Sequence, residues 1–168
     1  MSIYTFVSKK ARGLISGLVI GVALMFPAFT AIAGDEFLDN VKDFKLSESP
    51  VNVKQTIAAA LIDKNAAIVI DVRSENEYKN GHIPGAFNIP HGDITSFKGL
   101  EVLKEKDTPV LLYCRSGRRS GIAMNNMSRA GYKHLMNMGG IITWEHELST
   151  EPPAKSFEEA VRAVVPLK

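Results

Sequence analysis

The chain of 168 residues holds a single cysteine, Cys114, and the residues around it suit nucleophilic chemistry. It ends the apolar run Val110-Leu111-Leu112-Tyr113 and opens the polar loop Arg115-Ser116-Gly117-Arg118-Arg119, behind which residues 120–130 carry a helical pattern. A thiol set between a buried strand and a helix start faces unpaired backbone N–H groups and the positive end of the helix dipole. Both favour the thiolate, which is the attacking form. Three arginines in the loop act in the same direction, because a nearby cation lowers a thiol's pKa. A buried cysteine is most often only a small hydrophobe. The basic, glycine-containing loop separates Cys114 from that ordinary case.

The length of the loop narrows the chemistry. Cysteine enzymes that transfer phosphate commonly place five residues between Cys and Arg, a ring sized for a phosphoryl group. Here four residues separate Cys114 from Arg119, and Ser120 follows. The smaller ring suits one extra sulfur atom on Cys114 better than a phosphate ester. Around it stand Asp71-Val72-Arg73, Glu77-Tyr78, Gly81-His82-Ile83-Pro84-Gly85-Ala86, Asn88-Ile89-Pro90, Gly131-Tyr132, and Gly139-Gly140 followed by Trp144. Taken in order with residues 113–120, these motifs resemble the single-domain rhodaneses, thiosulfate sulfurtransferases, and within them the small exported phage-shock-protein E type. The resemblance runs over about residues 51–147.

That resemblance implies a three-layer α/β domain, a central parallel sheet with helices on both faces. It also implies an enzyme that moves a sulfane sulfur in two displacements through a persulfide on Cys114, the nucleophile. Thiosulfate is the implied donor, and cyanide or a thiol the acceptor. Splitting one transfer into two steps is covalent catalysis, and converging backbone N–H groups can hold an anionic persulfide. Carried over by position, Arg115, Ser116, Gly117, Arg118 and Arg119 form the cradle. Gly117 supplies a backbone angle closed to most residues. Arg118 and Arg119 are candidates to hold the thiosulfate dianion through paired guanidinium donors. The sequence does not choose which of the three arginines turns inward. Ser120 suits the helix N-cap, and its own N–H can help to close the cradle.

These residues need elements to position them. Ala66-Ala67-Ile68-Val69-Ile70 reads as a fully buried strand of a parallel sheet. Asp71 and Arg73 follow at its C-terminal edge, where such folds place their sites, and are expected to pin neighbouring loops. A preformed thiolate needs no general base, so His82 is expected to fix its turn. Residues 57–62 suggest a helix, as do 75–80, closed by Gly81. Further strands are expected at 87–89, 110–113 and 135–136, with a helix at 97–105; the resemblance implies a last helix at 140–147. Met124, Met127 and Ala130 fall at helical spacing, with the methionines read as core and Gly131 as the end of their helix. Strands alternating with helices imply a parallel sheet covered on both faces.

The first 33 residues carry a different signal. Lys9, Lys10 and Arg12 precede an uncharged stretch that lasts to Gly34, broken by Pro27 and ending in Ala31-Ile32-Ala33. A basic end, an apolar middle and a small-x-small exit describe a secretory signal peptide, cleaved after Ala33. The rival reading is an uncleaved anchor, the only membrane association expected. Either way the domain is expected outside the cytoplasm, in the periplasm of a Gram-negative cell. The whole chain has 20 basic and 18 acidic residues, net +2; without the leader there are 17 basic against 18 acidic, net −1. A nucleic-acid partner is therefore not expected. A lone thiol in an oxidising compartment makes most sense if the thiol is the reactive group.

The organisation read from the sequence is a signal peptide over 1–33, a lead-in over 34–50, a rhodanese domain over 51–147 and a C-terminal extension over 148–168. In the extension, Ser156-Phe157-Glu158-Glu159 forms a capping box that opens an amphipathic helix to about Val165. Its Phe157, Ala160, Val161 and Val164 are expected to pack on the domain. A monomer is expected. No cofactor and no metal are expected, because His82, His91, His134 and His146 are scattered and one cysteine offers no zinc spacing. Two other functions compete with the enzyme: a sulfur carrier or binding module without turnover, and a cysteine phosphatase or arsenate reductase. The short loop argues against the second.

Overall fold

Two strands that are apolar up to their last residues make the centre of the sheet. They are β2, Ile68–Asp71, and β4, Val110–Cys114, and every residue of both is buried in the computed structural model, which describes residues 44–167. The expected leader (1–33) and the start of the lead-in (34–43) lie outside the described residues. β2 and β4 pair in parallel, Ile68 beside Val110 and Asp71 beside Tyr113. Three further strands complete a parallel sheet: β1, Val51–Asn52; β3, Phe87–Asn88; and β5, Leu135–Gly140. The order is β1-β5-β4-β2-β3, which sets the last strand in sequence between the first and β4.

Side chains alternate across the pleat, so each buried strand feeds two cores. On one face Ile68, Ile70, Leu112 and Cys114 join Ala123 and Met127 of α4 (Arg118–Arg129) and Leu103 of α3 (Glu101–Glu105). Leu100, from the 3-10 turn Lys98–Leu100 that leads into α3, belongs to the same core. On the other face Val69, Leu111, Tyr113, Met136 and Met138 meet Ala58 and Leu61 of α1 (Gln55–Asp63), with Ile83 and Ala86. The expected three-layer α/β architecture is present, and Met124 and Met127 are core.

The motif residues outside the loop hold turns. Arg73 donates from its backbone N–H to Asp71 Oδ1 at 2.9 Å and from Nη2 to Asp71 Oδ2 at 2.6 Å and to the Gly81 carbonyl at 2.7 Å. Both side chains are buried. This ties the end of β2 to the end of α2, Glu75–Lys79. His82 is wholly buried and stacked on Tyr78, ring centroids 3.7 Å apart. Its ring nitrogens lie 3.0 Å from the Tyr78 carbonyl and 2.9 Å from that of Glu151, and His82 pairs with Ser149 in an antiparallel bridge. Its role is to hold the turn and the C-terminal extension together. In that extension α5 (Phe157–Arg162) carries the capping box, with Ser156 Oγ accepting from the Glu159 N–H and Glu159 accepting from the Ser156 N–H. Val161 is buried in the first core, and Phe157, Ala160 and Val164 pack against it.

Three expectations are corrected. The helix expected over 140–147 is a single 3-10 turn, Ile141–Thr143, and Trp144 is extended. Three consecutive β-branched residues support a turn poorly as a helix start, and β5 keeps the backbone in the sheet through Gly140, opposite Cys114. β5 for the same reason is six residues long rather than two. The helix behind the loop begins at Arg118 with Gly117 as its N-cap, so Ser120 lies inside the first turn and is not the cap.

Candidate active site

Cys114 is the last residue of β4, and the chain turns within three residues into α4. The turn is sharp because Gly117 takes φ +95°, in the left-handed region that L side chains disfavour. This geometry folds the loop N–H groups back over the sulfur. The Gly117 N–H donates to Cys114 Sγ at 3.1 Å. Ser120 Oγ lies 3.7 Å from the sulfur. The residue is only 1% exposed. Burial by itself pushes the thiol up, but the donors from Ser120, Ser116 and Gly117 outweigh it, and the thiol is held below its ordinary range. The arrangement can therefore stabilise a negative charge on Sγ or on an atom bonded to it.

The loop is backed by β5. A methyl group on Gly140 would stand 2.5 Å from Ser116 Cα, and one on Gly117 would stand 3.2 Å from Gly139 Cα. These glycines let two backbones touch, the usual reason for glycine inside a strand. Gln55 Nε2 donates to the Gly140 carbonyl at 2.8 Å, which anchors β5 to α1. Asn137 joins the loop to β5: its Nδ2 donates to the Gly117 carbonyl at 3.3 Å, and its Oδ1 accepts from the Gly139 N–H at 3.1 Å. That amide orientation aims Oδ1 at Ser120, whose hydroxyl donates to it at 2.7 Å.

The three arginines separate. Arg115 and Arg118 are exposed at the rim, and among the described residues neither forms an ion pair. Arg119 turns to α2, where Nη1 donates to Glu77 Oε2 and Nη2 to Glu77 Oε1, both at 2.7 Å. Arg119, expected as one of two thiosulfate ligands, is thus already paired with a carboxylate. The Arg119 hydrogen bond holds the Glu77 carboxyl down to about 2. Arg119 itself is raised, chiefly by Glu77, with a smaller contribution from the Cys114 thiolate. All seven residues expected at the site, Cys114 and Arg115 through Ser120, lie on this one loop. Sequence reading had no role for Asn137, Gln55 or the Glu77 pair; the glycines at 139 and 140 were the available sign that something approaches β5 closely.

Comparison with known proteins agrees with this geometry. Residues 54–147 match the family model for the rhodanese-like domain. The chain is 31% identical over 96 residues to thiosulfate sulfurtransferase GlpE of Pseudoalteromonas translucida, covering 56% of this chain and 87% of that protein. It is 40% identical over 72 residues to thiosulfate sulfurtransferase PspE of Escherichia coli, covering 43% of this chain and 68% of that protein. In fold it is similar to the human single-domain sulfurtransferase TSTD1, with a TM-score of 0.51, 23% identity, and coverage of 57% of this chain and 97% of that one. The motif match drawn from the sequence, the five-stranded sheet order and these relatives converge: the chain belongs to the rhodanese-like domain family.

Proposed function

We propose that the protein is a thiosulfate sulfurtransferase in which Cys114 carries the sulfur. The observation that supports it most is the donor aimed at Sγ: the Gly117 N–H meets, at 3.1 Å, a thiol that is held below its ordinary range in spite of its burial. The thiolate attacks the outer sulfur of thiosulfate, the sulfur–sulfur bond of the donor breaks, and sulfite leaves with the electron pair. The product is a persulfide anion on Cys114, and donors already fixed before the reaction stabilise it without reorganisation. A thiophilic acceptor then attacks the terminal sulfur. With cyanide this yields thiocyanate, with a thiol it yields the acceptor's persulfide, and Cys114 returns as thiolate. Arg115 and Arg118, exposed beside the loop, bring positive charge to the approach of a dianion.

Intact-mass measurement tests the chemistry. Thiosulfate should add the mass of one sulfur atom to the protein, and cyanide should remove it. Cys114→Ser should lose both the adduct and the transfer; full activity in that variant would overturn the mechanism. An adduct that forms but does not turn over with cyanide would make the protein a carrier, and faster hydrolysis of aryl phosphates than sulfur transfer would make it a phosphatase. We further propose that the reaction takes place outside the cytoplasm after cleavage behind Ala33. N-terminal sequencing of the protein from the extracytoplasmic fraction should then read Gly34-Asp35-Glu36.

A further inference from the structure

Arg119 is the one loop arginine whose guanidinium is immobilised. Its two outer nitrogens meet the two oxygens of Glu77 at 2.7 Å each, in a pair only 23% and 33% exposed. Glu77 is itself held from the opposite side, because Ser74 donates to Oε2 from its backbone N–H at 3.1 Å and from Oγ at 3.0 Å. The element that carries it is tied down independently of the loop: Arg73 reaches the Gly81 carbonyl, and the Tyr78 hydroxyl donates to the Ala86 carbonyl at 2.7 Å. The carboxylate is thus a fixed partner on rigid structure rather than a passing surface contact.

A planar guanidinium grips a tetrahedral oxyanion through the same paired edge that it offers a carboxylate. An anion centred directly over Sγ, such as phosphate or arsenate, would need that edge turned towards it. Thiosulfate makes no such demand. Its outer sulfur would meet Sγ, which sets its oxygen-bearing sulfur one bond further out than an anion seated directly on the loop. We propose that Glu77 is a positioning residue that sets the specificity of this site: by occupying both outer nitrogens of Arg119, it withholds them from a tetrahedral oxyanion over Cys114 and reserves the loop for a single transferred sulfur. The proposal rests on Cys114 as the sulfur carrier, but its effect on anion binding is measurable without sulfur transfer.

The measurement is protection of Cys114 from iodoacetamide by inorganic phosphate and by arsenate, taken as the ratio of alkylation rates with and without anion at one pH. That ratio removes the direct effect of thiol acidity on the alkylation rate. In Glu77→Gln the anion concentration giving half-protection should fall about tenfold from wild type, the scale of one charge-assisted contact. Glu77→Asp, which reaches only one guanidinium nitrogen, should move it in the same direction by less, and serves if the glutamine variant fails to fold. Adding Arg119→Lys to Glu77→Gln should remove the gain. Ser74→Ala breaks the cap on the same carboxylate but spares the pair, so its half-protection should stay within about twofold of wild type. Unchanged protection in both Glu77 variants, or an equal gain in Ser74→Ala, overturns the proposal. A wild-type protein that takes up no sulfur from thiosulfate would instead overturn the carrier reading, and mass measurement detects that separately.

Discussion

One methyl group placed on Gly140 should disable the loop without touching Cys114. The backbone there is extended, φ −124° and ψ 145°, so alanine adopts it without conformational strain. The cost lies entirely in the approach. The new carbon would stand 2.5 Å from Ser116 Cα and 2.7 Å from the Arg115 carbonyl carbon, with the Arg115 carbonyl oxygen nearer still. All are backbone atoms of the cradle, so no side chain can swing away. Ordinary contact begins at 3.4 Å, and β5 and the loop must therefore part by about 1 Å, a displacement that costs on the order of a hundredfold in rate when it misplaces reacting groups. Overpacking of this kind also lowers stability by about 1–3 kcal/mol. The assay is thiocyanate formation from thiosulfate and cyanide, read beside iodoacetamide alkylation of Cys114 and a urea denaturation curve. Gly92→Ala is the control: that position has nothing within 4 Å and an ordinary φ, so its stability should change by no more than about 0.5 kcal/mol. Gly140→Ala with wild-type turnover and wild-type alkylation would show that the close approach does not shape the cradle.

Ser120→Ala removes the hydroxyl that ties α4 to Asn137 Oδ1 at 2.7 Å; the loosened cradle should let the midpoint of the alkylation rate against pH rise, and an unchanged or lower midpoint would mean that this tie does not support the thiolate. The Glu77 carboxyl lies at about 2 in the folded protein against an ordinary 4.5. The unfolded chain therefore binds more protons between those values, and the ion pair's contribution is complete above about pH 4.5 and fades towards pH 2. Thermal melts of wild type and Glu77→Gln should differ most above pH 4.5 and converge as the pH falls to 2, whereas a gap that widens in acid would refute the assignment. Val161→Ala, at a position 2% exposed beneath α5, should cost about 2 kcal/mol in a urea titration from lost methyl burial and the cavity left behind, with sulfur transfer at the wild-type rate.

What was legible in the sequence was local. The turn from Val110-Leu111-Leu112-Tyr113 through Cys114 into a glycine-bearing basic loop announces a thiol at a helix start, because each cue lies within ten residues. The capping box at Ser156 is likewise a pair three residues apart; the same pattern at Ser74 went unread. The Glu77–Arg119 pair joins residues 42 positions apart and depends on how α2 lies across the loop, which no periodicity encodes. Ser120 was read as the cap because serine is a good one; the tight turn at Gly117 starts α4 earlier and leaves the hydroxyl facing Asn137 and the sulfur instead. The expected helix after Gly140 came from the family pattern, and it failed where Ile141, Ile142 and Thr143 supplied β-branched residues in place of helix formers.

The position of β5 carries a consequence for how the chain matures. It is the last strand to be synthesised, yet it sits between β1 and β4 and supplies Asn137, Gly139 and Gly140 behind the loop. Until it inserts, Ser116 and Gly117 lack the backing of Gly139 and Gly140, and Cys114 should react as an ordinary thiol. On the proposed mechanism, nucleophilicity would then be the last product of assembly rather than a property of the residue. An incomplete chain would be spared premature disulfide exchange while it still exposes its thiol. A refolding protein labelled by brief pulses of alkylating agent should show an abrupt change in Cys114 reactivity when β5 docks, a built-in reporter of the final step.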